Sequence, residues 1–276
     1  MRRNLGAIFK YAFLTPLAIF VLLPIWATVM GGFKTLGGLR LNPVGLPRTL
    51  QLEFYGDIIR SPETWRYALN SLNISLFTVL LVLLLGSMAA YTFSHIKYAG
   101  KNFLFSYLLL GLMFPAAAAI VPIFVINNTF LNLFNTHWAI ILPQVAFGMG
   151  GAVLFFRGFF EQLPDELFEA ARVDGVGYVG FFLRFVLPLS LPILATVGVI
   201  TLVNSWNAFL LPLIMLGTDP SVHPWPLGLA NFRGEWSTEW NRILGFISVN
   251  LVPAVVFFLL AQRYIVAGLT GGAVKG

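Results

Sequence analysis

The residues able to do chemistry in this chain are few, and most of them sit together. Glu161, Asp165, Glu166, Glu169 and Asp174 are five of its 11 acidic residues. Neighbouring carboxylates can act as general acid and base, or hold a metal, when histidine, cysteine or a further ligand joins them at suitable spacing. No such companion is near: the chain has no cysteine, and His95, His137 and His223 are far apart with no ligand spacing. A phosphate-binding G-x-x-x-x-G-K-[ST] loop is also missing, because YAGKN at 98–102 lacks the leading glycine and the hydroxyl residue. The cluster therefore predicts no catalytic residue and no metal site. What acidic groups at this density can still do is recognise a basic partner. A second constellation is Asn204, Ser205, Trp206 and Asn207, set inside an apolar run. Amides and hydroxyls at that depth in a membrane require partners. They serve either as interhelical hydrogen bonds or as the lining of a path for a hydroxyl-rich solute. Asn70, Ser71, Asn73 and Ser75 open an earlier apolar run in the same way.

The elements that carry these groups follow from composition. The chain has 276 residues, 58% hydrophobic and 10% charged, against roughly 25% charged in soluble domains. Its mean hydropathy is +0.84. Six apolar segments, about 11–31, 68–94, 103–126, 138–156, 189–216 and 243–260, each match a hydrocarbon core of roughly 30 Å. The fold class expected is an all-α membrane protein, a single domain over 1–276 with six transmembrane helices; the ten-residue alternation of a barrel is absent. The first segment resembles a signal peptide, but its run of about 20 residues exceeds the usual 7–15, so it reads as a retained anchor. No charged residue falls within the six segments, which removes the usual machinery of a proton-driven carrier. The net charge of +6 is scattered through loops, and no nucleic-acid partner is expected. Lysine and arginine favour both termini inside: HIKYAGK at 95–101 carries two lysines, and NNTFLNLFNTH at 127–137 carries neither lysine nor arginine.

Between the fourth and fifth segments, a charged island at about 161–188 predicts a helix–turn–helix. Pro164 suits a first helical position, and Asp165 and Glu166 complement the helix dipole. Leu163, Leu167, Ala170 and Ala171 form the expected apolar stripe. Asp174 and Gly175 read as a stop, with Gly175 at positive φ. A second helix is expected at about 178–186, with Pro188 leading into the fifth span. Helices that rest on lipid headgroups favour Lys and Arg on the polar face, and this one is acidic, which favours a basic protein groove instead. Pro115, Pro122, Pro143, Pro192 and Pro212 predict kinks. GMGGA at 148–152 offers small faces for close packing.

The run EAARVDG at 169–175, followed by Leu187 and Pro188, resembles the EAA loop of importer-type ABC permeases. NSWNAFLLPLIML at 204–216, PLGLANFRGEW at 226–236 and QRYIVAGLTGGAVKG at 262–276 resemble the maltose-type carbohydrate branch, as do FKT at 33–35, NSL at 70–72 and AAYTFS at 89–94. The resemblance covers nearly the whole chain. It implies the transmembrane domain of a type I ABC importer, the smaller of two permease subunits. It also implies a coupling loop in which Glu169, Ala170, Ala171, Asp174, Gly175 and Pro188 meet a separate ATPase. The expected partners are a second permease subunit, an ATPase dimer and an extracytoplasmic solute-binding protein. ATP and magnesium would belong to the ATPase, with no cofactor on this chain and no enzymatic activity of its own. Asn204, Ser205 and Asn207 are the expected translocation residues. Trp225, Asn231 and Trp236, in the outer loop 217–242, are the expected binding-protein contacts, although a solvated connecting loop is the plainer reading. The location implied is the inner membrane, with a sugar as solute. The alternatives are a permease for another solute, such as glycerol phosphate or an amino acid, an ion-coupled secondary transporter and, on weaker grounds, a membrane enzyme.

Overall fold

The computed structural model describes residues 2–232 and 238–271. Every regular element among them is helical, and these are α1 (Arg2–Gly32), α2 (Leu36–Leu41), α3 (Leu52–Arg60), α4 (Pro62–His95), α5 (Lys101–Met113), α6 (Ile120–Val125), α7 (Trp138–Phe160), α8 (Asp165–Val173), α9 (Tyr178–Phe181), α10 (Leu187–Leu189), α11 (Leu191–Trp206), α12 (Leu210–Met215) and α13 (Trp240–Gly271), with short 3₁₀ and π turns between some of them. Four helices are long and apolar enough to cross a membrane: Lys10–Gly32, Pro62–His95, Trp138–Phe160 and Trp240–Leu259.

The third and fifth expected spans are bent pairs instead of straight helices. Lys101–Met113 and Ala116–Phe130 meet at 89°, and Tyr178–Leu189 and Leu191–Trp206 at 76°, so the count is six only if each pair is one span. Proline supplies the reason in both cases. Phe114 precedes Pro115 and is extended at φ −86°, ψ 121°, as the ring of a following proline requires. Pro192 has no N–H to continue the helix from Pro188, and the chain turns at Ser190 (φ −96°, ψ 9°). The segment expected at 189–216 is also broken near its far end. Asn207 caps α11, and α12 begins only at Leu210. The NSWN group therefore closes a helix, where a mid-span position was expected. Pro143 leaves α7 unbroken.

The chain forms two compact units, residues 1–65 with 228–252 and residues 66–227 with 253–276. In the first, α1 and α13 approach so closely that a Cβ on Gly32 would lie 2.7 Å from the Gly245 Cα. Tyr55 donates to the Val29 carbonyl at 2.9 Å, and Lys34, buried, donates to the carbonyls of Asn42 at 2.7 Å and Pro43 at 3.2 Å. In the second unit α7 is the central element and packs against α5 and α11. Ile140, Ile141, Val153, Phe156 and Phe160 on α7 are fully buried, with Phe181, Val186 and Met215 around them. The small-residue run works as expected. A Cβ on Gly148 would press on Val82 at 3.2 Å, and one on Gly150 on Leu112 at 3.0 Å.

Candidate functional sites: an acidic elbow and a membrane-depth cavity

The island at 163–189 folds into an elbow. Pro164 serves as the N-cap of α8, with Asp165 and Glu166 in the first turn. The helix ends in a Schellman motif: Gly175 N–H donates to the Arg172 carbonyl at 3.0 Å, and Val176 N–H to that of Ala171 at 2.8 Å. This closure satisfies two carbonyls that a helix end leaves orphaned, and it needs a left-handed residue. Gly175 supplies it at φ +77°, where a side chain is strained by about 1–2 kcal/mol. Beyond Gly177 the chain is helical from Tyr178 to Leu189. Pro188 lies within that run, immediately after a π turn in which Leu187 N–H reaches back to the Phe182 carbonyl. The second helix thus outruns its expected end at 186, because the π turn re-spaces the hydrogen bonds ahead of Pro188.

The face that α8 turns inward differs from the expected stripe. Ala171 is buried, and Leu163, Phe168 and Val176 pack with it on the core. Leu167 and Ala170 face outward with Val173, which is 88% exposed. Aromatic packing turned the helix: Phe168 meets Phe181 at 5.0 Å, Tyr178 at 5.4 Å and His95 at 6.2 Å. Tyr91 ties the second arm down by donating to the Tyr178 carbonyl at 3.0 Å. Glu161 pairs with Arg157 at 2.7 Å. Among the described residues, Asp165, Glu166, Glu169 and Asp174 make no ion pair and are exposed. Glu169, Ala170, Asp174, Gly175 and Pro188 are thus on the surface, and Ala171 alone of the expected coupling residues is buried. The outer face of the elbow combines free carboxylates with apolar side chains.

The second site is a cavity of about 440 Å³ in the same unit, formed by α4, α7, α11 and the α5–α6 and α11–α12 connections. Pro143, Phe147, Phe209 and Ile120 give it an apolar wall; Thr78, Gln144, Thr201, Asn204 and Ser205 are its polar members, and none of its lining residues is charged. Of the expected translocation residues, Asn204 and Ser205 line this cavity. Asn207 is not among the lining residues, because it points its amide back along α11 to the Val203 carbonyl at 2.9 Å. Thr78 and Gln144 were not foreseen. Gln144 is a single polar residue in an apolar run and Thr78 follows the polar group at 70–75, and only the packing of three helices brings them together. Gln144 Oε1 accepts from Ser205 Oγ at 2.7 Å and from Thr78 Oγ1 at 3.1 Å. Within the NSWN group, Ser205 joins helices through Gln144, and Asn204 is exposed on the cavity wall.

The loop after α12 is fastened along its first half. Asn70 donates to the carbonyls of Ser221 at 2.8 Å and His223 at 2.9 Å, and Ser71 Oγ accepts the Trp225 N–H at 2.7 Å. His137 donates to Val222 at 3.1 Å and His223 to Gly217 at 2.8 Å. Asp219 accepts the Ser221 N–H at 2.8 Å, and that bond holds its carboxyl below the usual range. Trp225, expected as a contact residue, is 3% exposed with its ring 6.4 Å from Trp206. It is packing for the loop, in whose first part Thr218, Asp219, Pro220 and Ser221 are exposed. Asn231 lies in a 3₁₀ segment, its side chain outside the described residues, and Trp236 is outside them altogether.

A polytopic helical bundle with an external elbow and an uncharged internal cavity defines a membrane transport subunit. The chain belongs to the family of binding-protein-dependent transport system inner membrane components, matched over residues 64–269, which includes the elbow and the cavity. It is 36% identical over 270 residues to the arabinooligosaccharides transport system permease protein AraQ of Halalkalibacterium halodurans, covering 96% of this chain and 94% of that one. It is 34% identical over 235 residues to the trehalose transport system permease protein SugB of Mycobacterium tuberculosis, covering 84% of each. Its fold is similar to that of a bacterial ABC transporter importing the acidic polysaccharide alginate, with a TM-score of 0.79 at 19% identity, over 96% of this chain and 98% of that one.

Proposed function

We propose that this chain is one permease subunit of an ATP-driven, binding-protein-dependent importer, and that its solute is a neutral sugar or oligosaccharide. The observation that carries this reading is the elbow. Its inner face is locked to the core by Ala171 and Phe168, while its outer face presents unpaired carboxylates and Val173. A rigid, acidic and partly apolar projection suits insertion into a basic cleft of a separate ATPase, which would hold the ATP and magnesium. The lysine and arginine bias of the short loops supports an orientation with that elbow and both termini in the cytoplasm. Names of relatives that carry arabinooligosaccharides and trehalose support a carbohydrate. A cavity lined by no charged residue supports a neutral one over glycerol phosphate, since an anion at that depth requires a cationic partner. A second permease subunit and a solute-binding protein complete the assembly, the latter facing the loop that follows α12. The tagged chain should co-purify with an ATPase, and ATP turnover should rise when binding protein and a sugar are added. A Cβ on Gly175 would meet no atom of this chain within 4 Å, so apart from about 1–2 kcal/mol of strain at its positive φ the effect of Gly175→Trp falls on the docking face. Uptake should fall more than tenfold, with the chain still inserted in the membrane. Normal uptake and normal ATP turnover in that variant would sink the docking assignment.

A further inference from the structure

Lys34, in the first compact unit, is a buried cation without an anion. It is 2% exposed, and among the described residues it makes no ion pair. The carbonyls of Asn42 and Pro43 take two of its three N–H donors. They do not neutralise its charge, and a charge removed from water ordinarily has a counter-charge. A depression of about 260 Å³ lies against it. Lys34 and Arg48 give that depression two cations, Thr35 and Thr49 two hydroxyls, and Leu41 and Leu46 an apolar part. None of its lining residues is acidic, and Arg48 also has no ion pair among the described residues.

The position of the depression selects the anion. The first apolar span ends at Gly32, just before Lys34. Trp26 Nε1, inside that span, donates to the Val44 carbonyl at 3.0 Å. The loop therefore folds back along the span by about 9 Å, into the headgroup zone where tryptophan concentrates. Leu41, Leu46, Leu50 and Leu52 are 64% to 87% exposed there. A small soluble anion has no use for that apolar surround, whereas a lipid brings acyl chains to it. We propose that Lys34 and Arg48 form a binding site for the phosphate headgroup of an anionic phospholipid, with the exposed leucines against its acyl chains. Arginine suits a phosphate diester through paired N–H donors, and lysine as a point charge. The site depends on the first span crossing the membrane and is independent of what the chain transports.

The test titrates the full-length, delipidated chain in detergent with dioleoylphosphatidylglycerol or dioleoylphosphatidylcholine, and counts bound lipid by native mass spectrometry. The first phosphatidylglycerol should bind at least about fivefold more tightly than phosphatidylcholine, as one cation near a lipid headgroup provides. Arg48→Gln should remove about fivefold of that affinity. Lys34→Gln, which keeps an amide donor for the Asn42 and Pro43 carbonyls, should remove at least as much. Arg60→Gln changes an exposed cation outside the depression and should leave the affinity as it was. Equal affinity for the two lipids, or an equal loss in Arg60→Gln, would mean diffuse attraction and overturn the site. Millimolar inorganic phosphate should not displace the lipid; displacement would make this a free-anion site and overturn the lipid assignment. Should Lys34→Gln fail to fold, Arg48→Gln decides alone, because Arg48 is exposed, and unchanged phosphatidylglycerol binding in it overturns the proposal.

Discussion

The elbow and the cavity wall belong to one compact unit and are built on opposite plans. The elbow's shape comes from contacts a few residues apart: an N-cap at Pro164, a Schellman closure over 171–176 and a glycine at φ +77°. The cavity wall is held by bonds across 66 residues, from Thr78 to Gln144, and across 61, from Ser205 to Gln144. The elbow spends its polar groups outward, where water or a partner completes them. On the cavity wall Thr78 and Ser205 direct their hydroxyls inward to one shared acceptor, Gln144 Oε1. A local device tolerates changes on its outer face and fails when its inner face changes; a long-range device is weakened by losing any one member.

That contrast can be broken at several points. The largest effect should come from Glu169→Lys, which turns one outward carboxylate into a cation. ATPase capture should fall at least tenfold, with thermal stability of the chain within about 0.5 kcal/mol of the original, as at other surface positions. Equal loss of capture and stability would mean that the outer face of the elbow also holds the fold. Next in size, Ala171→Leu overfills a buried site and should cost about 1–3 kcal/mol in denaturation of the detergent-solubilised chain. Its neighbour Ala170→Leu faces outward and should change stability by no more than about 0.5 kcal/mol. Matching losses from the two would return the apolar stripe to the position first expected of it. The smallest effect sharpens the cavity side. Ser205→Ala removes one of the two bonds to Gln144 and should cost about 1 kcal/mol, read as a lowered unfolding midpoint. An unchanged midpoint would show that the three-helix junction does not need Ser205.

Much of the elbow was legible in the sequence. Pro164, the acidic first turn and Asp174-Gly175 are signals whose meaning depends on their immediate neighbours, and the structure places them within one residue of expectation. The buried face was misjudged because Leu167 and Phe168 offer competing registers, and the rings of Tyr178, Phe181 and His95 settled it in favour of Phe168. Trp225 misled for a related reason: a tryptophan in a polar loop reads as a contact residue until Ser71 and Trp206 are found beside it. Of the cavity, Asn204 and Ser205 were visible as polar residues in an apolar run. Gln144 stood alone in its run, Thr78 lay just beyond the polar group at 70–75, and nothing in the surroundings of either showed that the two would meet.

By itself the sequence determined the membrane class, the helical content and the stop at Gly175, while its prolines marked both real bends and positions such as Pro143 where the helix runs on. All of these follow from rules that act within a turn or two of helix, or from the cost of placing charge in lipid. Only the tertiary structure decided that two spans bend at 89° and 76°, which face of α8 is buried, and that Thr78, Gln144 and Ser205 share one junction. Those outcomes depend on which side chains meet after helices pack, and packing couples residues whose separation along the chain carries no periodic mark.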